Sequence, residues 1–408
     1  MQHNNFKKQR IAITWPLTPF TGWGNYGIQL AQALISRSIA QPIVPYNIQK
    51  TQACQLQWKL WADQIERESQ PLISAVQENI NHLSLTTNCQ IIFDGLGNCV
   101  KPHEFHGKYR VGVTFFERSE IPNELIKFMK NEYDMIITGS KWNQNSLLSK
   151  GIKHSTLIHQ GIDQSIFNPI PVTQLLKRPF IIFAGGKLEA RKGQDIIIES
   201  FRKFIKLCPN ALLIACWANI GDIGINTLNT TPYIKSNPKS GRAKDIHPWL
   251  VSEGIPEQNV LVPTAINNAQ LASLMKQADT AVFMSRCEGG TNLMAMETLA
   301  CGIPTILSEN TGHLDLLEGK QPHAIGIKKT SMKINRDKMS EAYGGDAQEI
   351  WGETDPDSLV KVWINQINNK KYWKAKAIEN ASKMGEWSWE KSMNKLISRL
   401  QENNLILY

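Results

Sequence analysis

Two glutamates bracket a glycine turn in the segment SRCEGGTNLMAMETLACGIPTI, residues 285–306. Carboxylates accept hydrogen bonds from hydroxyl groups, and a turn that opens a helix presents unpaired N–H groups to an anion. The preceding TAVFMS reads as a strand, with Glu288 in the turn and Gly289–Gly290 opening a loop. Thr291 is the expected N-cap of a helix that runs to Cys301 and stops at Gly302, with Pro304 beyond. The N–H groups of Gly290, Thr291, Asn292 and Leu293 then point out of the helix N-terminus. Glu297 lies about one and a half turns into the helix, and Glu288 stands just before its tip. An anion site between two carboxylates suits a molecule with hydroxyls on both sides of a diphosphate, which is the pattern of a nucleotide sugar. The competing reading makes Glu297 a helix-surface acid and Glu288 an ordinary turn residue.

A second constellation is FAGGKLEARKGQD, residues 183–195. A strand ends at Gly185–Gly186, and Lys187, Arg191 and Lys192 cluster before a helix that begins near Gln194. A glycine turn lets the backbone approach an anion, and the cations neutralise it. The segment lacks the G-x-x-x-x-G-K-[ST] pattern of a P-loop, and a solvated basic turn is the alternative. The third is TGWGNYG, residues 21–27, which spells G-x-G-x-x-G. A dinucleotide site turns tightly from strand to helix and needs an acidic residue about 20 positions on. Here PLTPF separates the strand from Gly22, and no acid precedes Asp63. The glycines around Gly24 are therefore expected to form a flexible loop at a substrate cleft. Trp15 and Trp23 flank that loop and suit either core packing or stacking on a sugar ring. His103 and His106 have a metal-like i, i+3 spacing but no strong third ligand, so they read as surface histidines and no metal site is expected.

These residues need elements to hold them. RIAITW, CQIIFDG, RVGVTFF and DMIITGS are short apolar runs, each followed by polar or helical sequence. After the proline-bearing FNPIPVTQLLKRP the pattern restarts with FIIFAGG, ALLIACW, NVLVP, TAVFMS and PTILSE. Such alternation predicts parallel sheets covered by helices, in two α/β halves. Residues 219–247 read as an exposed excursion. The tail WSWEKSMNKLISRLQENN carries Trp389, Met393, Leu396 and Leu400 on one face of a helix.

Bulk properties narrow the classes. A chain of 408 residues suggests two domains. No apolar run reaches the roughly 18 residues of a membrane span, and the first residues do not read as a secretory signal. Seven scattered cysteines without a C-x-x-C pair point to a reduced, cytoplasmic chain. The net charge is +9, and residues 1–62 carry six Lys or Arg and no acid. That face suits anionic headgroups or an acidic substrate, against the alternative of an ordinary solvated surface. No recognition helix, zinc finger or RNP-like strand supports nucleic acid as a partner.

The order G-K-L-x-x-x-K-G at 186–193, then E-G-G-T-N-L-M-A-M-E-T-L-A-C-G-I-P at 288–304, resembles glycosyltransferase family 4. TGSKWNQNSLLSKGI, IHQGIDQSIFNP and WSWEKS extend the likeness over most of residues 10–400. The resemblance implies the α/β GT-B fold, two Rossmann-like domains facing across a cleft. It divides the chain into an acceptor domain (1–172), a donor domain (173–382) and a C-terminal helix (383–408) packing back on the first. It implies transfer of a hexosyl group from a nucleoside diphosphate sugar to a carbohydrate or glycolipid, with retention of configuration and no cofactor or metal. Surface polysaccharide or glycoconjugate synthesis at the cytoplasmic face of a membrane, with peripheral contact through the basic N-terminal domain, fits the family. Lys187 and Lys192 would hold the diphosphate and, with Glu288, form the catalytic set. Glu288 would bind the transferred sugar and Glu297 the ribose. Gly24, Gly186 and the loop from Gly290 through Thr291 and Asn292 to Leu293 would approach the phosphates, with base contacts near VPTAI (262–266).

The chain departs from the family pattern in three places. Lys187 stands where Arg is commoner. Eight residues rather than seven separate Glu288 from Glu297. Phe115-Phe116-Glu117 replaces a strand-end histidine, which leaves Glu117, with Trp23, as the acceptor-side candidates. A nucleotide-sugar isomerase or hydrolase, a catalytically silent nucleotide-sugar sensor and a nicotinamide oxidoreductase remain as other readings of the same scaffold. Sugar transfer to an added acceptor, binding without turnover, and a change in nicotinamide absorbance tell them apart.

Overall fold

The computed structural model describes residues 9–46, 48, 56–78, 84–97, 104–118, 121–219, 221, 223–264, 266–318, 323–326, 328–329 and 351–406. His103 and Ala265 lie outside these residues. The chain forms two compact units, one of Met1–Phe116, Ile121–Gly161 and Trp389–Tyr408, the other of Glu117–Glu120 and Ile162–Ser388.

The first unit contains β1 (Gln9–Ile13), α1 (Gly22–Ser36), β2 (Ala40–Ile43), α2 (Leu56–Glu78), β3 (Ser84–Thr86), β4 (Ile91–Gly95), β5 (Glu104–His106), β6 (Tyr109–Thr114), α3 (Asn123–Glu132), β7 (Met135–Thr138), α4 (Lys141–Ser149) and β8 (Ser155–Leu157). Its main sheet is parallel, in the order β2-β1-β4-β6-β7-β8. Strands buried on both faces are continuously apolar, which is why β1, β4, β6 and β7 stand out in the sequence. At the centre of the sheet Asp94 is fully buried, and Arg110 Nη2 (2.6 Å), Tyr133 Oη (3.0 Å) and Thr14 Oγ1 (3.2 Å) donate to it.

The glycine motif has a structural role that its spacing did not disclose. Thr21 is the N-cap of α1, its Oγ1 accepting the Gly24 N–H at 3.0 Å, so Gly22 and Gly24 belong to the first helical turn rather than to a flexible loop. A Cβ at Gly24 would strike the Thr18 backbone, and one at Gly27 would lie 2.7 Å from Trp15 Nε1. The helix thus needs glycines to pack closely on its own entry segment. Trp15 is buried, and its indole N–H donates to the Trp23 carbonyl at 2.9 Å. Trp23 is half-buried and meets Trp15 and Phe115 edge-to-face at 5.7 and 4.9 Å. Core packing therefore accounts for Trp15. The tail helix, called α12 below (Trp389–Glu402), joins this aromatic cluster through Trp389, whose ring stands 5.9 Å from that of Tyr26. His106 ends β5 half-buried, and no group of three metal-ligating side chains occurs among the described residues.

The second unit contains β9 (Ile181–Gly186), α5 (Gln194–Phe204), β10 (Leu212–Trp217), α6 (Ala243–Ser252), β11 (Val260–Leu261), α7 (Asn268–Met275), β12 (Thr280–Phe283), α8 (Leu293–Ala300), β13 (Thr305–Ser308), α9 (His313–Leu317), β14 (His323–Ile325), β15 (Lys328–Lys329), β16 (Gly352–Glu353), α10 (Pro356–Asn368) and α11 (Lys370–Lys383), with α12 returning to the first unit. The main sheet is again parallel, in the order β11-β10-β9-β12-β13-β14. Numbered within the unit this is 3-2-1-4-5-6, the dinucleotide-fold order, whose direction reverses between β9 and β12. The segment expected to be an exposed excursion is instead packed. It forms a 3-10 turn at Ile225–Thr230, and Ile225, Leu228 and Ile234 enter the core with Trp217 and Trp249. Its polar composition hid the few apolar anchors that hold it down.

Gly193 makes the turn from the 3-10 segment Ala190–Lys192 into α5. Its φ is +68°, and a Cβ there would collide with the Met284 carbonyl at the end of β12. Both faults act together in Gly193→Ala, so we expect a loss of about 2 kcal/mol or more in urea unfolding. Unfolding indistinguishable from wild type would show that β9 and β12 do not depend on this close approach.

Candidate functional site

The reversal of strand order brings the C-terminal ends of β9 and β12 side by side, and open α/β sheets bind ligands at such a point. β9 ends in Gly185–Gly186. Gly186 has φ +122°, and the position of a Cβ there is open space. Lys187 follows, exposed. After β12 the chain forms the turn Ser285–Asn292 and enters α8. Here the sequence expectation shifts by one residue: Asn292, not Thr291, is the N-cap, its Oδ1 accepting the Ala295 N–H at 3.4 Å. Thr291 is buried, with Oγ1 3.0 Å from Met296 Sδ. Asn292 has φ +63° and ψ 90°, a positive-φ backbone at the helix entrance. The N–H groups of Gly290, Thr291 and Leu293 have no acceptor among the described residues.

Glu297 is 6% exposed, and its carboxylate has no hydrogen-bond or ion-pair partner among the described residues. On α8 it lies three residues beyond Met294, on the same face, and Met294 packs against Gly185. Cys216, which registers beside Gly185, feels the Glu297 carboxylate and is pushed up to about 12 mainly by burial. Glu297 therefore stands over the ends of β9 and β10. Burial without a partner pushes its carboxyl up to about 8.

Glu288 is the opposite case. It is buried, and its Oε1 accepts from Ser285 Oγ (2.5 Å), Lys192 Nζ (2.6 Å) and Asn292 Nδ2 (3.1 Å). Its Oε2 accepts from Lys192 Nζ (2.9 Å) and Arg191 Nη1 (3.3 Å). Burial alone would raise this carboxyl, but Lys192 and Arg191 outweigh it and hold the group at about 2. Arg191 is the hub. Its Nη1 also donates to the Cys287 carbonyl at 2.7 Å, and its Nη2 pairs with Glu189 at 2.5 Å and Glu117 at 3.2 Å. Glu117 thus stands in the second unit, against the β9 turn, rather than alone at a strand end. Burial raises its carboxyl, Arg191 opposes that, and Glu189 and Glu288 add to it.

Several supporting groups had no signature in the sequence. Arg286 is fully buried and grips Asp195 through two 2.8 Å bonds, Glu353 at 3.2 Å and the Ala190 carbonyl at 2.6 Å. It ties the 3-10 turn to α5 and β16. His313 lies with Nδ1 3.1 Å from the Ser308 carbonyl, which only accepts, so the proton sits on Nδ1. Its Nε2 is then the acceptor for Asn292 Nδ2 at 3.1 Å, and burial holds the ring neutral by pushing it down to about 4. The i, i+4 step from Glu288 to Asn292 was readable in the sequence. The contacts across roughly 20 to 100 residues were not.

The fold and this site together mark a class. Residues 170–337, which lie in the second unit, match the family described as "Glycosyl transferases group 1". At low identity the whole chain shares the GT-B fold of solved glycosyltransferases. Sucrose-phosphate synthase (tll1590) from Thermosynechococcus elongatus is similar at TM-score 0.61 and 14% identity, over 97% of this chain and 99% of that one. Anabaena Alr3699/HepE, solved in complex with UDP and glucose, is similar at TM-score 0.62 and 14% identity, over the same shares of each chain. In sequence, the chain is 25% identical over 210 residues to mannosylfructose-phosphate synthase of Agrobacterium fabrum (strain C58 / ATCC 33970), which is 49% of this chain and 42% of that relative. The match thus spans less than half of that relative's length. No described helix is long and apolar enough to cross a membrane.

The two glutamates act oppositely on stability. The contribution of Glu297, with its carboxyl raised, is complete below the ordinary carboxylate range and is lost as pH rises through about 8. That of Glu288, with its carboxyl lowered, is complete above the ordinary range and is lost as pH falls through about 2. Between pH 5 and 8.5, therefore, the difference in Tm between Glu297→Gln and wild type should grow steadily in favour of the variant. Glu117 titrates in both proteins and drops out of the comparison. Parallel Tm curves across this range would mean that Glu297 is not buried as a neutral acid.

Proposed function

We propose that the chain transfers a hexosyl group from a nucleoside diphosphate sugar to a carbohydrate or glycolipid acceptor, with retention of configuration. The observation that carries this reading is the pairing of an unpartnered, buried carboxyl with a set of unpaired backbone N–H groups at one switch point. Glu297 supplies the first and takes the ribose hydroxyls. The N–H groups of Gly290, Thr291 and Leu293 supply the second. The UDP-glucose bound to Anabaena Alr3699/HepE, a protein of the same fold, supports a donor of this kind.

In this reading the diphosphate is neutralised by Lys187, Lys192 and the α8 amides, and no metal ion is required of the donor. Arg191 is committed to carboxylates and serves as a positioning residue. The donor's C1–O bond to phosphate breaks as the acceptor oxygen bonds to C1 on the same face. The acceptor proton passes to the departing phosphate oxygen. Charge develops on that phosphate, and preorganised N–H groups and ammonium groups stabilise it without reorganisation. Glu288 faces the transferred sugar. Gly24 stands in the first turn of α1, where its missing side chain lets the helix pack on Thr18. Surface polysaccharide or glycoconjugate synthesis is the setting we propose, with the basic N-terminal segment favouring anionic membrane surfaces.

A thermal-shift panel of UDP-, GDP- and ADP-sugars with their free diphosphates, in EDTA, tests the donor reading. One nucleotide should stabilise the protein, and Glu297→Ala should weaken its binding about tenfold or more through loss of charge-assisted hydrogen bonds. Lys192→Ala should lower kcat by about 100-fold, as expected for removal of one donor to the leaving group. No shift with any ligand, or wild-type kinetics in both variants, would overturn the assignment.

A further inference from the structure

We propose that Lys192 is exchanged between two anions, the Glu288 carboxylate in the free protein and the donor diphosphate in the complex, so that the site favours an intact sugar nucleotide over a free nucleoside diphosphate. This rests on the donor reading above and adds to it a source of discrimination between substrate and product.

The argument begins with the acceptor capacity of one carboxylate. Two carboxylate oxygens offer about four lone-pair sites. Glu288 already receives five donor contacts, three on Oε1 and two on Oε2, and Lys192 provides one on each oxygen. Glu288 is therefore saturated and cannot take a sugar hydroxyl while Lys192 remains. The other donors are anchored. Arg191 is held by Glu117, Glu189 and the Cys287 carbonyl, and Asn292 by its cap on Ala295 and by His313. Ser285 Oγ lies at the end of β12 and has no freedom to leave on a short side chain. Lys192 alone has a long flexible stem, and among the described residues its Nζ has no partner other than Glu288.

The Glu288 carboxylate, where Nζ now sits, is two residues before Gly290, where the unpaired N–H groups begin. A swing of the lysine side chain moves the ammonium from the carboxylate to a diphosphate held at those N–H groups. Removing it leaves Oε2 with only the 3.3 Å contact to Arg191. A buried carboxylate deprived of its partner is costly. A free nucleoside diphosphate incurs that cost in full, whereas the sugar of an intact donor offsets it by donating a hydroxyl to Oε2. Phosphate recognition and sugar recognition are thereby coupled through one ammonium group, and the spent diphosphate is released as Lys192 returns to Glu288.

Calorimetric titration of the full chain and of Glu288→Gln with UDP and UDP-glucose, GDP and GDP-mannose, and ADP and ADP-glucose tests this. For the nucleotide that binds, wild type should prefer the sugar nucleotide by at least about tenfold. In Glu288→Gln no carboxylate competes for Lys192, so the free diphosphate should bind more tightly than to wild type and the preference should close. Equal weakening of both ligands, or an unchanged preference, would overturn the exchange and leave the donor reading standing. Failure of all six ligands to bind wild type would overturn both. Should the variant not fold, a crystal structure of wild type with the bound free diphosphate decides. Nζ should have left Glu288 for the phosphate, and its retention at the present 2.6 and 2.9 Å would refute the exchange.

Discussion

The structure around the switch point depends on how Arg191 is buried. Its guanidinium is 5% exposed and meets three carboxylates, Glu117, Glu189 and Glu288. Taking charges out of water costs several kcal/mol per ion, and only good geometry and further hydrogen bonds repay it. The repayment here comes from separate stretches of chain: the β9 turn, the segment after β12 and Glu117. None of these can move without leaving a charge unpaired. Arg286 repeats the principle, with Asp195 and Glu353 as its partners. Two buried arginines thus hold the loop regions in place, where the backbone alone would not.

Fixing those loops is what makes the free groups meaningful. A parallel sheet places helix N-termini and turn glycines at the same edge, and α8 packs there on Gly185 through Met294 as a consequence of the 3-2-1-4-5-6 order. Against this frame the polar groups divide into two kinds. Glu288 bonds to Arg191 and Asn292, Asn292 to His313, and Arg286 to Asp195 and Glu353. The Glu297 carboxylate and the α8 amides have no such partner among the described residues, although buried polar groups in folded proteins are ordinarily paired. The proposed donor site is built on these unpaired groups.

Much of this was legible in the sequence, because it is encoded locally. Strands β1, β4, β6, β7, β9, β10, β12 and β13 announced themselves as apolar runs, since both faces of a parallel sheet are buried. The glycine turns at 185–186 and 289–290, the stop at Gly302 and the apolar face of the tail helix follow from short-range rules of the same sort. The failures are also physical. TGWGNYG carries a pattern that serves either phosphate approach or close helix packing, and only the position of Thr18 decides between them. Residues 225–234 pack through Ile225, Leu228 and Ile234 within a polar stretch, which no periodicity reveals. The partners of Arg191, Arg286 and His313 are chosen by tertiary folding. A sequence shows that charges are present but not which acid each base will meet.

The eight residues between Glu288 and Glu297 include the entrance of α8, where an added residue would act differently from one inside the helix. An insertion inside α8 would rotate Glu297 by about 100° per residue and turn it away from the end of β9. An insertion before the helix leaves the face of α8 intact, at the cost of an unusual backbone conformation. Asn292 takes that conformation, with φ +63°, and asparagine is among the residues that tolerate it best. Its side chain then does what neither glycine nor alanine could. Oδ1 caps the helix, and Nδ2 serves both Glu288 and the neutral His313. The turn is thereby tied to Glu288 as well as to the helix it opens.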